Sequence, residues 1–187
     1  FSQRIYDDKI QFFGGKEYGN SVVVDDTNNI VIVRTMDYQG KIVATHTLSF
    51  DQLPFQRYLK IYNSIILLNA PRKDVLDDKL YFYDLITKKK SDYFENTDNQ
   101  YLNRYSEEIQ LGRFNPVIRN NELIIINDKL EVIAKLNLKG HWILLSDSNT
   151  MVGYIRLRKL IKQGEYTAND KWEEYAYDVY DKRLIKE

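Results

Sequence analysis

"YFYDLITKKK" at positions 81–90 and "YAYDVYDKRL" at 175–184 share one arrangement: an apolar run, an acid, and a turn that carries lysine. Tyr83 matches Tyr177, Asp84 matches Asp178, Leu85 matches Val179 and Lys88 matches Lys182, at an offset of 94 residues. Half that offset, 47 residues, leads back from Asp84 to Asp37 in "TMDYQGK", where Gly40 falls opposite Thr87 and Lys41 opposite Lys88. A fourth, shorter copy is "IINDKLEV" at 125–132, with Asn127 in the acid's place. The series Asp37, Asp84, Asn127, Asp178 has spacings of 47, 43 and 51 residues, the range in which supersecondary units repeat. Each copy reads as strand, polar turn, strand. The apolar run pairs in a sheet, the Asp or Asn accepts from the backbone that follows it, and the tip faces water. The tip lysines Lys88, Lys89, Lys90 and Lys182 accordingly read as solvated.

Upstream of each turn lies a further strand candidate: "NSVVVDD" (20–26), "NSIILLNA" (63–70), "NPVIRNNELIII" (115–126) and "GHWILLSD" (140–147). Val, Ile, Leu and Tyr dominate these runs, and alternating or continuous apolar patterns outnumber any 3.6-residue pattern. The chain is therefore expected to be all-β and antiparallel, with about four repeats. A β-sandwich or barrel is the alternative, because any antiparallel protein makes hairpins of this kind. Two segments read as short helical excursions, 51–62 with Pro54 near a first turn and 96–112 with Thr97 or Asp98 as cap. "KLIKQGEYTANDKW" (159–172) reads as a long polar hairpin loop, a better place for function than a strand.

At 187 residues the default is one domain, residues 1–187. Lys plus Arg and Asp plus Glu are 27 each, so no whole-protein field draws in nucleic acid or an acidic membrane surface. Only the local runs "TKKK" (87–90) and "RLRKLIK" (156–162) could do so. The expectation is no nucleic-acid partner. Without cysteine there are no disulfides or thiolate metal sites. No apolar run approaches bilayer-spanning length. The opening on Phe1 reads as a processed product, with a targeting segment or further domain once preceding it.

Four-stranded units of 40–50 residues set side by side are the blades of β-propellers. The four acid-tipped hairpins resemble the third and fourth strands of such blades. The terminal portion, "GHWILLSDSN" with "WEEYAYDVYDKRL", looks like the last blade of six-bladed propellers common in extracytoplasmic proteins of Bacteroidetes. The resemblance covers 19–187, but the Trp-Asp ending of WD40 blades and the double glycine of kelch repeats are missing. It implies a ring, whole or partial, and favours a periplasmic or cell-surface location.

The two histidines, His46 and His141, have no paired spacing that would hold zinc, so they read as structural. No nucleophile elbow and no phosphate loop is present; in "FFGGKEYGN" Glu17 follows Lys16 where a P-loop needs Ser or Thr. The acid-rich "DDTNN" (25–29), "DVLDD" (74–78), "ENTDN" (95–99) and "SDSNT" (146–150) lack an EF-hand frame and read as turns. No cofactor and no metal is expected. The 15 tyrosines carry more information, since tyrosine joins contact area to a polar tip. The repeated Tyr81, Tyr83, Tyr175 and Tyr177 read as packing, whereas Tyr101, Tyr105, Tyr166 and Trp172, taken as loop aromatics, are the expected ligand contacts. The leading reading is a non-catalytic module that presents loops to a protein or glycan. The alternatives are a hydrolase acting on glycans through loop carboxylates, and a structural subunit assembled with other chains.

Overall fold

Turn chemistry sets where each strand must reverse, and the strands pair accordingly. The computed structural model describes residues 2–4, 10–54, 58–71, 79–95, 111–145, 147–165 and 169–187. They form four antiparallel sheets, none closed into a barrel among the described residues. The first is a meander of Gln11–Phe13 (β2), Gly19–Asp25 (β3), Ile30–Met36 (β4) and Ile42–Ser49 (β5). The second sets Ser2–Arg4 (β1) beside Tyr58–Tyr62 (β6), followed by Ile65–Asn69 (β7), Lys79–Asp84 (β8) and Phe94–Glu95 (β9). The third contains Phe114–Arg119 (β10), Glu122–Asn127 (β11) and Val132–Asn137 (β12). The fourth contains Trp142–Leu144 (β13), Tyr154–Lys162 (β14), Lys171–Asp178 (β15) and Arg183–Lys186 (β16).

Each of the four recurring hairpins closes the last described turn of one sheet. Asp37 Oδ1 accepts from the N–H of Gln39 and of Lys41, both at 2.9 Å. Asp84 Oδ1 accepts from Ile86 (2.9 Å) and Thr87 (3.2 Å), and its Oδ2 from the Thr87 hydroxyl (2.7 Å). Asn127 Oδ1 accepts from Glu131 N–H at 2.9 Å, and Asp178 Oδ1 from Tyr180 at 2.9 Å and Asp181 at 3.1 Å. A left-handed residue then leads into the next strand: Gly40, Lys88, Leu130 or Lys182. Gly40 is thus the counterpart of Lys88, and Lys41 that of Lys89, because the Asp84 turn is one residue longer than the Asp37 turn. That corrects by one position the match of Gly40 with Thr87. The device also serves hairpins outside the series, at Asp25, whose carboxylate accepts from Asn28, and at Asn149, which accepts from Met151 and Val152.

Two expectations change. Among the described residues of the 51–62 segment, helical character is one 3-10 turn, Phe50–Gln52, braced by Ser49 N–H donating to Gln52 Oε1 at 2.9 Å. Tyr58–Tyr62 is strand, because "YLKIY" buries Leu59 and Ile61 completely while pairing with β7. The ends of the segment 159–172 are paired, Lys159 with Glu173 and Leu160 with Trp172, so the loop shrinks to 163–170 and Trp172 lies in β15. The excursion at 96–112 lies outside the described residues except for Leu111 and Gly112.

The chain divides into two compact units, Phe1–Asn96 with Asp128–Leu130, and Thr97–Asn127 with Glu131–Glu187. In the first, Phe13, Val22, Val24, Val31 and Val33 of one sheet pack with Leu59, Ile61, Ile66, Leu68 and Tyr81 of the other. In the second, Phe114, Ile118, Leu123 and Ile125 pack with Trp142, Leu144, Ile155, Leu157 and Tyr177. The first sheet alternates: along β4, Val31, Val33 and Thr35 are buried and their neighbours half-exposed. In contrast, β7 and β11, the inner strands of the second and third sheets, bury "IILL" and "LIII" without a break.

A buried polar link ties the sheets of the first unit together. Asn20 Nδ2 donates to Asn63 O at 2.6 Å, Thr35 Oγ1 donates to Asn20 Oδ1 at 2.8 Å, and Glu17 N–H donates to Asn63 Oδ1 at 3.0 Å. Gly15 allows this approach, since a Cβ there would meet Asn63 Oδ1, the Tyr18 carbonyl at 2.6 Å and Asn63 N at 2.7 Å. Gly15→Ala should therefore lower stability by about 1–3 kcal/mol, read as a drop in the urea midpoint; an unchanged midpoint would contradict the packing. Burial alone would raise the Asp84 carboxyl, but bonds from Thr87, Ile86 and Ser64 outweigh it and hold the group below the ordinary range. A depressed native value contributes stability that is complete above the unfolded value of about 4 and is lost as pH falls through the native one. The stability gap between wild type and Asp84→Asn should shrink on acidification below about pH 4, and a pH-independent gap would refute the assignment.

Candidate functional site

The register of the fourth sheet divides its side chains between two faces. Ile155 and Leu157, together with Trp142, Leu144 and Tyr177, point into the core. Tyr154, Arg156, Arg158 and Leu160 lie on the opposite face with Trp172, Glu174 and Asp178. This outer face has two parts.

One end is aromatic. Trp172 is half-buried and its ring lies 5.9 Å from that of His141, tilted by 60°. His141 sits at the entry to β13, its carbonyl accepting from Leu160 N–H at 2.9 Å, and Ile161 beside them is exposed. Behind them on the core face, Trp142 packs 5.0 Å from Tyr175, donates from Nε1 to Lys139 O at 3.1 Å and carries the Lys159 ammonium 5.6 Å over its ring. Two tryptophans and a histidine thus gather where the 163–170 loop departs. Of the expected ligand contacts, Trp172 falls here; Tyr101, Tyr105 and Tyr166 lie outside the described residues.

The other part is ionic. The Arg156 guanidinium contacts Asp147, Glu174 (2.6 Å) and Glu187 (2.7 Å), while Glu174 also holds Arg158 at 2.6 Å and Tyr154 donates its hydroxyl to Glu187 at 2.8 Å. The Tyr154 and Arg156 bonds hold the Glu187 carboxyl below its usual value, and the bond to Glu187 holds Arg156 above its own. On the opposite face, Lys186 and the Tyr175 hydroxyl hold Glu173 down in the same way. A general acid for glycoside cleavage needs the opposite, a carboxyl raised by burial or by a neighbouring acid. Glu173 and Glu187 are shifted the other way and serve as counter-ions to Lys186 and Arg156. The alternation of Arg156 and Arg158 opposite Glu174 was present in the sequence, but only the β14–β15 register shows that they meet.

The remaining candidates resolve into structural roles. His46 Nε2 faces Leu85 O at 2.5 Å, so that nitrogen carries the proton, and its ring meets Tyr83 edge-on at 5.7 Å. Asp25 and Asn149 commit their oxygens to their own turns. Among the described residues no group of three or more His, Cys, Asp or Glu could hold a metal ion, and no helix is long and apolar enough to cross a membrane. Compared with known proteins, the chain matches no family model, no curated protein and no solved structure.

Because the Arg156 network lies at the surface, its contribution is small and screened by salt. Arg156→Gln should cost about 0.5–1 kcal/mol at low ionic strength and less in about 1 M salt, measured by thermal unfolding. A loss that salt leaves unchanged would show packing to dominate over charge.

Proposed function

We propose that this chain is a non-catalytic binding module built of propeller-like blades, which meets a protein or glycan through side chains held at the ends of its sheets. The observation that carries this reading is the combination of braced turns with large exposed side chains at their tips. Tyr38 is 88% exposed within the Asp37 turn, and Tyr180 is 63% exposed within the Asp178 turn. Met151 and Val152 are likewise exposed in the turn braced by Asn149. Apolar surface left in water on a pre-ordered backbone is a feature of contact surfaces, because little ordering entropy remains to be lost on binding.

Blade character is supported by the four separate antiparallel sheets, each of which ends in a hairpin braced by Asp37, Asp84, Asn127 or Asp178. Trp172, half-buried beside His141 where the 163–170 loop leaves the sheet, is the described residue assigned to ligand contact, with Tyr101, Tyr105 and Tyr166 as the other proposed contacts. Trp172→Ala should weaken capture on a glycan array, or of a crosslinked protein ligand, by about tenfold or more while the melting temperature falls only slightly. Release of sugar from a bound glycan would instead identify an enzyme, and collapse of the fold would make Trp172 a core residue.

A further inference from the structure

The two basic runs of the chain have different surroundings. In "RLRKLIK", Arg156 and Arg158 are matched to carboxylates and Lys159 lies over the Trp142 ring. In "TKKK", Lys88 and Lys89 are exposed and have no carboxylate within ion-pair distance among the described residues. Lys90 stands 5.5 Å over the Tyr81 ring.

Topology adds further cations at that place. The β2–β3 connection, which carries Lys16, and the β4–β5 turn, which carries Lys41, occupy one end of the first sheet. The β6–β7 turn at Asn63 and the β8–β9 connection with Lys88 and Lys89 occupy one end of the second. The Glu17–Asn63 and Asn20–Asn63 bonds and the His46–Leu85 contact bring these two ends together. Lys16 and Lys41 are likewise exposed and unpaired among the described residues. Four acids share these connections; Asp37 and Asp84 are directed into their own backbone, while Glu17 and Asp92 are exposed, the latter beyond the lysines toward β9. Tyr38 projects from the same rim, followed on β5 by exposed Ile42 and Val43.

We propose that this end of the first unit docks on an anionic lipid bilayer surface. Several hairpin tips ending together present ammonium groups as an array that suits a flat charged surface, where each lysine within a Debye length contributes about fivefold to partitioning. Tyr38 is suited to the headgroup region, as interfacial tyrosines are. The rim has no arginine fork for base or phosphate recognition, which disfavours nucleic acid. The inference uses only the first unit and holds whether or not Trp172 meets a ligand.

The test is co-sedimentation of the full chain with phosphatidylcholine vesicles, with and without roughly 30% phosphatidylserine. The expected result is binding to the anionic vesicles alone, weakened in about 0.5 M salt. The triple variant Lys88→Asn, Lys89→Gln, Lys90→Gln should lose about a hundredfold in partitioning with its melting curve retained. Asn is chosen at 88 because that position has φ +61°. Lys135→Gln on β12, an exposed lysine paired with Glu122, should change nothing. Binding to neither vesicle, equal binding to both, wild-type partitioning by the triple variant, or lysine-dependent binding to duplex DNA or heparin without vesicle binding would each overturn the proposal.

Discussion

A side-chain oxygen that accepts from the backbone two to four residues ahead is the constraint from which the rest of this structure follows. Asp37, Asp84, Asn127 and Asp178 each fix the point at which a strand reverses. In antiparallel sheets that point also sets the register, and a slip of one residue would turn every core side chain toward water. The braces further support a backbone that most residues avoid: Lys88, Leu130 and Lys182 adopt the left-handed conformation for which glycine is preferred, as only Gly40 of the four supplies. A lysine there costs roughly 1 kcal/mol relative to glycine, comparable to one of the hydrogen bonds that hold the turn.

This also explains which parts of the fold were legible. The acid and the apolar run before it are chemically specific, so the four hairpins could be read from Asp84 outward. The positive-φ residue has no fixed identity, so turns of unequal length were matched one position out at Gly40. Continuous "IILL" and "LIII" could be read as strands and are buried without a break, whereas the equally apolar "IVIV" of β4 alternates in burial, a difference that the sequence does not show. Pro54 near a possible first turn suggested a helix, but β-branched Ile61 and the partner strand β7 prevailed, as tertiary pairing commonly overrides local propensity.

The candidate site was less legible because it depends on pairing across strands. Trp172 could be singled out as a large aromatic beside a polar segment. Its residence in β15 and its contact with His141, 31 positions earlier, required the register of β13 and β14 on either side. The Arg156 network is spread over Asp147, Glu174 and Glu187, residues on three separate segments that no local pattern connects.

Charge illustrates why a count of zero is an incomplete description. Equal numbers of acids and bases leave no long-range field, yet local fields depend on which cations have found partners. On the fourth sheet, cross-strand geometry places carboxylates against Arg156 and Arg158 on one face and against Lys186 on the other. At the turn end of the first unit the same geometry has a different result. There Asp37 and Asp84 are the turn braces themselves, drawn inward by backbone N–H groups, while the lysines that follow them in sequence are exposed. A basic rim is therefore a by-product of the chemistry that closes the hairpins, available to any partner whose negative charge is spread over a surface.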